Sequence, residues 1–391
     1  MNAIGMYIFS GSQTIGHMLE GWEVDKVLEM TDDMDQTNAY HFVRNYSIPI
    51  IMPSEWKNEE YLSKLVNKYD LLFANPPCSG LSSINRNAKV ENDINKHIYE
   101  VADVISIIKP KTFLIENAPT LIRLGLPILK NIQQKLKDNY RICIISDLAG
   151  NHNVPMHRRR TLIVGFSRSE FKKLPIVESD KHKIFTVGDS FRGLSDLADN
   201  MTYVSIKDHY NFSRFYGLVK PDETVVKALC YADDSIKSKL TEEELDLVNR
   251  SKIKYDKGGS VWDKSPLRLN LNSRAPSITS VNRYIHPIYN RDLYIREYAR
   301  LMGYPDDYKF FSGGKVSEIQ CIAQGVPVNF IRYISSQIKK SFDGCLPCID
   351  CDVAFIDQAQ FAKDNSLFDI DQRKVKFFNS EEFQVIKTLA S

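Results

Sequence analysis

Short apolar runs alternate with helical stretches through the first 166 residues, and few folds accept such a chain. The runs Met6–Phe9, Val24–Leu28, Ile48–Met52, Leu71–Ala74, Thr112–Ile115, Ile142–Ser146 and Thr161–Phe166 predict strands. Between most of them lie helical stretches, notably Glu59–Asn67 and Lys96–Ile108. A turn after the first run leads into a helix through His17 to Glu20. This order predicts an α/β fold, a mostly parallel Rossmann-like sheet with helices on both faces. Chemistry in such sheets sits at the carboxyl ends of the strands.

Two strand ends carry reactive groups. Leu71–Ala74 stops at Asn75-Pro76-Pro77-Cys78, where the prolines cannot continue the ladder and stiffen the loop that bears the thiol. Phe113-Leu114-Ile115 runs into Glu116-Asn117, which places a carboxyl group at a second strand end. A thiol and a carboxylic acid so placed suit attack on an electron-poor aromatic ring. Downstream, Arg158 and Arg160 share one face of an extended segment, and Arg159 faces the other way.

The chain has 391 residues, long enough for more than one domain, and a formal charge of +2. That charge gives no global field for nucleic acid, so a local basic patch would be needed. No signal peptide and no membrane-spanning run is expected. The seven cysteines are an odd number, and Cys78, Cys143, Cys230 and Cys321 are widely scattered. That usage suggests reduced thiols in the cytoplasm. Cys143 and Cys230 are expected as core or surface thiols. Cys345-x-x-Cys348-x-x-Cys351 has metal-like spacing, but no histidine follows His286 and no fourth ligand declares itself, so no metal is assigned.

After about residue 170 the pattern becomes polar and irregular. One helix is predicted over Thr241–Val248, opened by a capping box from Thr241 to Glu244. Helical periodicity returns at Tyr294–Met302 and Pro327–Ile338. The expected organisation is a catalytic and cofactor-binding domain over 1–170, a target-recognition domain over 171–272, a return to the catalytic domain over 273–341, and an appendage of unknown role over 342–391. Lys207, His209, Arg214 and Lys220 interleave with Tyr210, Phe212, Phe215 and Tyr216 in the middle domain. Most of these aromatics are expected in its core.

The ordered motifs resemble the DNA cytosine carbon-5 methyltransferase family of bacteria and phages. They are Phe9-Ser10-Gly11, Glu29, Pro76-Pro77-Cys78, Glu116-Asn117-Ala118, Val154-Pro155 with Arg158-x-Arg160, Arg274 to Thr279, His286-Pro287, Arg296 to Pro305, and Gly325-Val326-Pro327. The resemblance implies that Cys78 is the nucleophile, that Glu116 protonates ring nitrogen 3 of a flipped cytosine, and that Arg158 and Arg160 hold the base. It implies S-adenosyl-L-methionine held by Phe9, Ser10, Gly11, Thr14, Ile15, Glu29, Met30, Asn75, Pro77, Gln324 and Val326. It implies double-stranded DNA as partner, contacted by Ser82, Ser83, Arg86, Lys89, Arg214 and Lys220. A monomer, in the cytoplasm of a bacterium or of a phage-infected cell, is expected, with a cognate restriction endonuclease as a possible companion. The sequence departs from the family pattern at Tyr7-Ile8, Ser12-Gln13-Thr14, Met156 and Gln324. Three alternatives therefore stand beside this expectation: a catalytically silent DNA-binding relative, an RNA cytosine methyltransferase, and a modified S-adenosylmethionine as donor.

Overall fold

A computed structural model of the chain describes residues 1–9, 11–32, 39–81, 89–122, 124–177, 184–194, 210–259, 261, 265–279, 283–311, 317–358 and 384–386. The chain divides into two compact units. The first comprises Met1–Asn153, His157–Lys183 and Gly325–Ser391, and the second Val154–Met156 and Ile184–Gln324. The unit limits thus fall later than the domain limits expected at 170 and 272, and residues 273–324 pack with the middle of the chain.

The first unit is built on one sheet. Its strands are β1 (Asn2–Met6), β2 (Glu23–Leu28), β3 (Ile50–Ile51), β4 (Leu71–Ala74), β5 (Thr112–Asn117), β6 (Tyr140–Leu148), β7 (Arg159–Ser167), β8 (Val353–Asp357) and β9 (Gln384–Ile386). Their order across the sheet is β9-β8-β6-β7-β5-β4-β1-β2-β3. Only β7 runs against its neighbours, pairing antiparallel with β5 and β6. From β1 the chain moves outward through β2 and β3, then returns to place β4 on the other flank of β1. The order reverses at β1 and β4, so the crevice for a ligand opens at their carboxyl ends.

Side-chain alternation sends each strand to two helical layers. Ile4 and Met6 of β1, Leu72 and Ala74 of β4, and Phe113 and Ile115 of β5 share a core with helices Lys96–Ile108 and Leu126–Leu136. Phe73, of opposite parity, meets the His17 ring at 4.4 Å on helix Ser12–Leu19. His17 Nδ1 lies 2.9 Å from Ser335 Oγ on helix Val328–Phe342. Gly16 permits that approach, since a Cβ there would stand 2.7 Å from Ile331. Each fully buried Leu, Ile or Phe in these layers contributes about 1.5–3 kcal/mol.

Several elements differ from expectation. The first strand ends at Met6, because Tyr7 and Phe9 take positive φ values of 58° and 48°, which no strand accepts. The third is only Ile50–Ile51, and the stretch from Glu59 is helical only to Ser63. Two segments of the appendage join the sheet: Val353–Asp357 pairs parallel with β6, and Gln384–Ile386 pairs parallel with Val353–Asp357. The run Val-Ala-Phe-Ile in the first is a strand signal of the ordinary kind.

In the second unit, Phe212, Phe215 and Tyr216 are buried with Val225, Leu229, Val248 and Ile285. The helix capped by Thr241 and Glu244 runs from Glu242 to Asp256, well past Val248. Its polar second half is held by Arg250–Asp246 and Lys252–Asp256 pairs. Cys143 and Cys230 are both buried.

Candidate active site

The β4 and β5 ends stand side by side, with Ala74 paired to Ile115. Beyond Ala74, Asn75, Pro76 and Pro77 are buried and Cys78 is partly exposed. Asn117 fixes the loop: its Nδ2 donates to the Pro76 carbonyl at 3.2 Å, and its Oδ1 accepts from the Ala118 N–H. Thr120 adds a hydroxyl bond to the Leu81 carbonyl.

Glu116 is buried at the end of β5. Arg160 Nε stands 2.5 Å from Glu116 Oε1. Arg158 is buried and donates to the Gly325 carbonyl at 2.8 Å. Burial pushes the Glu116 carboxyl above the usual range, against the pull of Arg160 and Arg158. Burial also raises the Cys78 thiol; Arg160 and Arg158 draw it down and Glu116 pushes it up. Both arginines therefore act on both reactive groups. Arg159 instead feels Asp357 and Asp147, as its opposite parity requires.

At the β1 and β2 ends, Phe9 is partly exposed and Gly11 opens helix Ser12–Leu19 at φ 79°. No side chain caps that helix. Thr14 and Ile15 are buried in its first turns. Glu29 is buried, and its Oε1 accepts from the Met30 N–H at 2.9 Å. Burial pushes the Glu29 carboxyl up to about 7. The partly buried Met30 packs against the sheet core. Asn75 is tied through its backbone N–H to the Met6 carbonyl. Among the described residues, Glu29 Oε2, Asn75 Nδ2, Thr14 Oγ1 and both polar atoms of Gln13 are buried without a partner. Buried polar groups are normally satisfied, so this set is shaped for a polar ligand. The buried Val326 donates its N–H to Ser12 Oγ at 3.0 Å. Gln13 escaped the sequence reading, which saw only a departure from the family pattern there.

Other expected contacts are placed differently. Ser10, Ser82, Ser83, Arg86, Lys207 and His209 lie outside the described residues. Lys89 and Lys220 are exposed. Gln324 ends helix Glu318–Gln324 of the second unit with its side chain exposed. Arg214 is committed within that unit: it pairs with Glu244 at 2.6 Å, bonds the Asn211 and Lys239 carbonyls and lies over the Phe215 ring. Its guanidinium is thus engaged within the fold while the residue stays exposed. Cys345 and Cys348 are exposed and Cys351 partly so; among the described residues no group of His, Cys, Asp or Glu is arranged for a metal.

The model of the C-5 cytosine-specific DNA methylase family matches residues 5–340. The chain belongs to that family. This methylase is 22% identical over 355 residues to the type II methyltransferase M.FnuDI of Fusobacterium nucleatum, covering 87% of this chain and 95% of the relative. It is 23% identical to M.MthTI of Methanothermobacter thermautotrophicus, over 78% of this chain and 88% of the relative. Among solved structures, a putative DNA modification methyltransferase encoded within an E. coli prophage matches with a TM-score of 0.60 at 21% identity. That match covers 88% of this chain and 99% of the other, and it supports the fold. β8 and β9 lie beyond the family match and widen this methylase's sheet. Among the described residues no helix is long and apolar enough to cross a membrane.

Proposed function

We propose that this methylase transfers a methyl group from S-adenosylmethionine to carbon 5 of a cytosine in DNA, through a covalent bond to Cys78. The observation that carries the reading is the convergence of Cys78, Glu116, Arg158 and Arg160 at two adjacent strand ends.

The buried unpartnered groups fit the donor. Glu29 offers an acceptor for ribose hydroxyls, Met30 an apolar face for adenine, and Asn75 a free amide donor. Phe9, Gly11, Thr14, Ile15, Pro77 and Val326 would complete the cradle. When bound, the donor supplies an electrophilic methyl group.

Cytosine inside a duplex is stacked, so the target base must be rotated out. Cys78 then bonds to carbon 6, and the ring becomes electron-rich at carbon 5. Glu116, disposed by burial to hold its proton, donates it to ring nitrogen 3 and draws the added electrons away from carbon 6. Arg160 and Arg158 lower the cost of the thiolate. After carbon 5 takes the methyl group it loses its proton to water, the carbon–sulfur bond breaks with its electron pair returning to Cys78, and ring nitrogen 3 returns its proton to Glu116.

A fluorine at carbon 5 removes the proton that release requires. DNA containing 5-fluorocytosine, incubated with protein and S-adenosylmethionine, is expected to form a denaturant-stable protein–DNA adduct. Cys78→Ser is expected to form none. An adduct that persists with Cys78→Ser overturns the assignment. The names of the type II relatives favour a paired restriction endonuclease.

A further inference from the structure

The second unit buries the aromatics around Phe215 but presents others to solvent. In the segment His286–Arg291, Ile288 is 62% and Tyr289 58% exposed. Their backbone is nonetheless held fast. His286 Nδ1 accepts from the Ile288 and Tyr289 N–H groups at 3.1 and 3.0 Å. Arg268 is buried beneath and donates to the His286 and Tyr289 carbonyls, to those of Val219 and Tyr216, and to Asn290 Oδ1. Arg291 closes the segment with a two-pronged pair to Glu297 at 2.8 and 2.7 Å.

The rings form a ladder that ends in solvent. Phe191 stacks on His286 at 5.8 Å, His286 meets Tyr289 at 4.7 Å, and the Arg291 guanidinium lies 5.5 Å over the Tyr289 ring. Charge points the same way. Among the described residues every partner of Arg268 is a carbonyl or an amide, so its positive charge has no carboxylate beside it. Among the described residues the other large exposed ring, Tyr231, differs: its hydroxyl donates to Asp256, and Lys252 is paired with that carboxylate, so the two charges cancel. A neutral pair gives a polyanion no net attraction, while a guanidinium without a carboxylate partner attracts one.

We infer that Ile288 and Tyr289 form a rigid apolar tip that contacts DNA, Tyr289 by stacking on a base or sugar and Ile288 by wedging beside it. The inference rests on the reading that DNA is the substrate. Order in the free protein means little conformational freedom is lost on binding. Aromatic stacking is tolerant of base identity, so the tip adds affinity without choosing the sequence.

The test is filter retention of linear mixed-sequence plasmid DNA across a salt series, beside methyl transfer to the same DNA. Tyr289→Ala is expected to weaken retention about tenfold, and Ile288→Ser with Tyr289→Ala further. Tyr289→Phe and Tyr289→Trp should bind like the wild type. The slope of affinity against salt should stay unchanged, since no phosphate contact is lost. Tyr231→Ala should have no effect. Equal retention by wild type and Tyr289→Ala, a changed salt slope, or wild-type protein that retains no DNA overturns the inference. Retention without methyl transfer in the wild type would instead sink the proposed reaction and leave the tip's role measured. Thermal melts of the variants, expected to match wild type because both side chains are exposed, separate lost contact from lost fold.

Discussion

At the ends of β4 and β5 the polar groups brace one another, whereas at the ends of β1 and β2 several are buried without partners. Glu116 has Arg160 against it, Arg158 has the Gly325 carbonyl, and Asn117 ties the Cys78 loop. Among the described residues Glu29 has one backbone N–H, Thr14 and Gln13 have buried polar atoms with nothing to bond, and so does Asn75, which follows β4 but is bonded through its backbone to Met6 at the end of β1. The difference teaches that the two sides meet different demands. On the proposed reaction, the reacting side must hold a proton, a thiol and two guanidinium groups in a fixed relation before the base arrives. The donor side can leave hydrogen bonds open, because a polar ligand closes them and gains affinity by doing so.

The largest expected effect is on the braced side. Glu116→Gln keeps the shape of the side chain but holds no proton of carboxylic acidity. Turnover should fall by about 10²–10⁴-fold, the usual range for a general acid, with donor affinity unchanged. Initial rates of tritiated methyl incorporation and a separate donor-binding titration check both halves. If Glu116→Gln weakens donor binding as much as turnover, the two sides are not separate.

Next comes Glu29. Its carboxyl sits at about 7 in the folded protein against an ordinary 4.5. Between those values the folded ligand-free chain holds a proton that the unfolded chain has released. Stability is therefore fully retained below about pH 4.5 and is lost as pH rises through 7, by something on the order of 3 kcal/mol. Glu29→Gln removes this dependence. The variant should be more stable than wild type at pH 8 in the absence of donor, yet bind the donor at least about tenfold more weakly. Denaturant melts at pH 5 and pH 8 test the first outcome and calorimetric titration the second. A wild-type melt that is flat across this window would mean that Glu29 is already charged and partnered.

Much of this contrast was legible in the residues. The run that became β4 is short, wholly apolar and ended by two prolines, and the family resemblance, with which parity agrees, paired Arg158 with Arg160. The donor side was harder to read. Tyr7-Ile8-Phe9 continues an apolar run, and nothing in its residue types announces that Tyr7 and Phe9 leave the strand with positive φ. Gln13 and Thr14 look like ordinary helix residues until burial shows that their polar atoms are stranded. The second unit was legible where a local rule governs, as at the Thr241 cap. It was not where partners are distant: Arg214 reads as a free cation, but its carboxylate lies thirty residues away, on the capped helix.

The smallest expected effect belongs to Tyr7, which links the two sides to the layer beneath. Its hydroxyl donates to Glu100 at 2.7 Å, and Glu100 also holds Lys57 and His97. Burial alone would raise the Glu100 carboxyl, but the bonds from Tyr7, Lys57 and His97 outweigh it and hold the group down to about 2. Removing one donor of three leaves the carboxylate paired, so Tyr7→Phe should cost about 1.5 kcal/mol, the low end for a hydrogen bond to a charged group. Tyr7 also carries the positive φ from which the Phe9–Gly11 turn begins. Loosening that anchor should raise the KM for the donor a few-fold. It should leave kcat at saturating donor unchanged, because the Cys78 loop is tied through Asn117 and not through Tyr7. A fall in kcat with unchanged KM would show that the strained turn steers the reacting side as well, and the contrast between a braced edge and a waiting one would have to be redrawn.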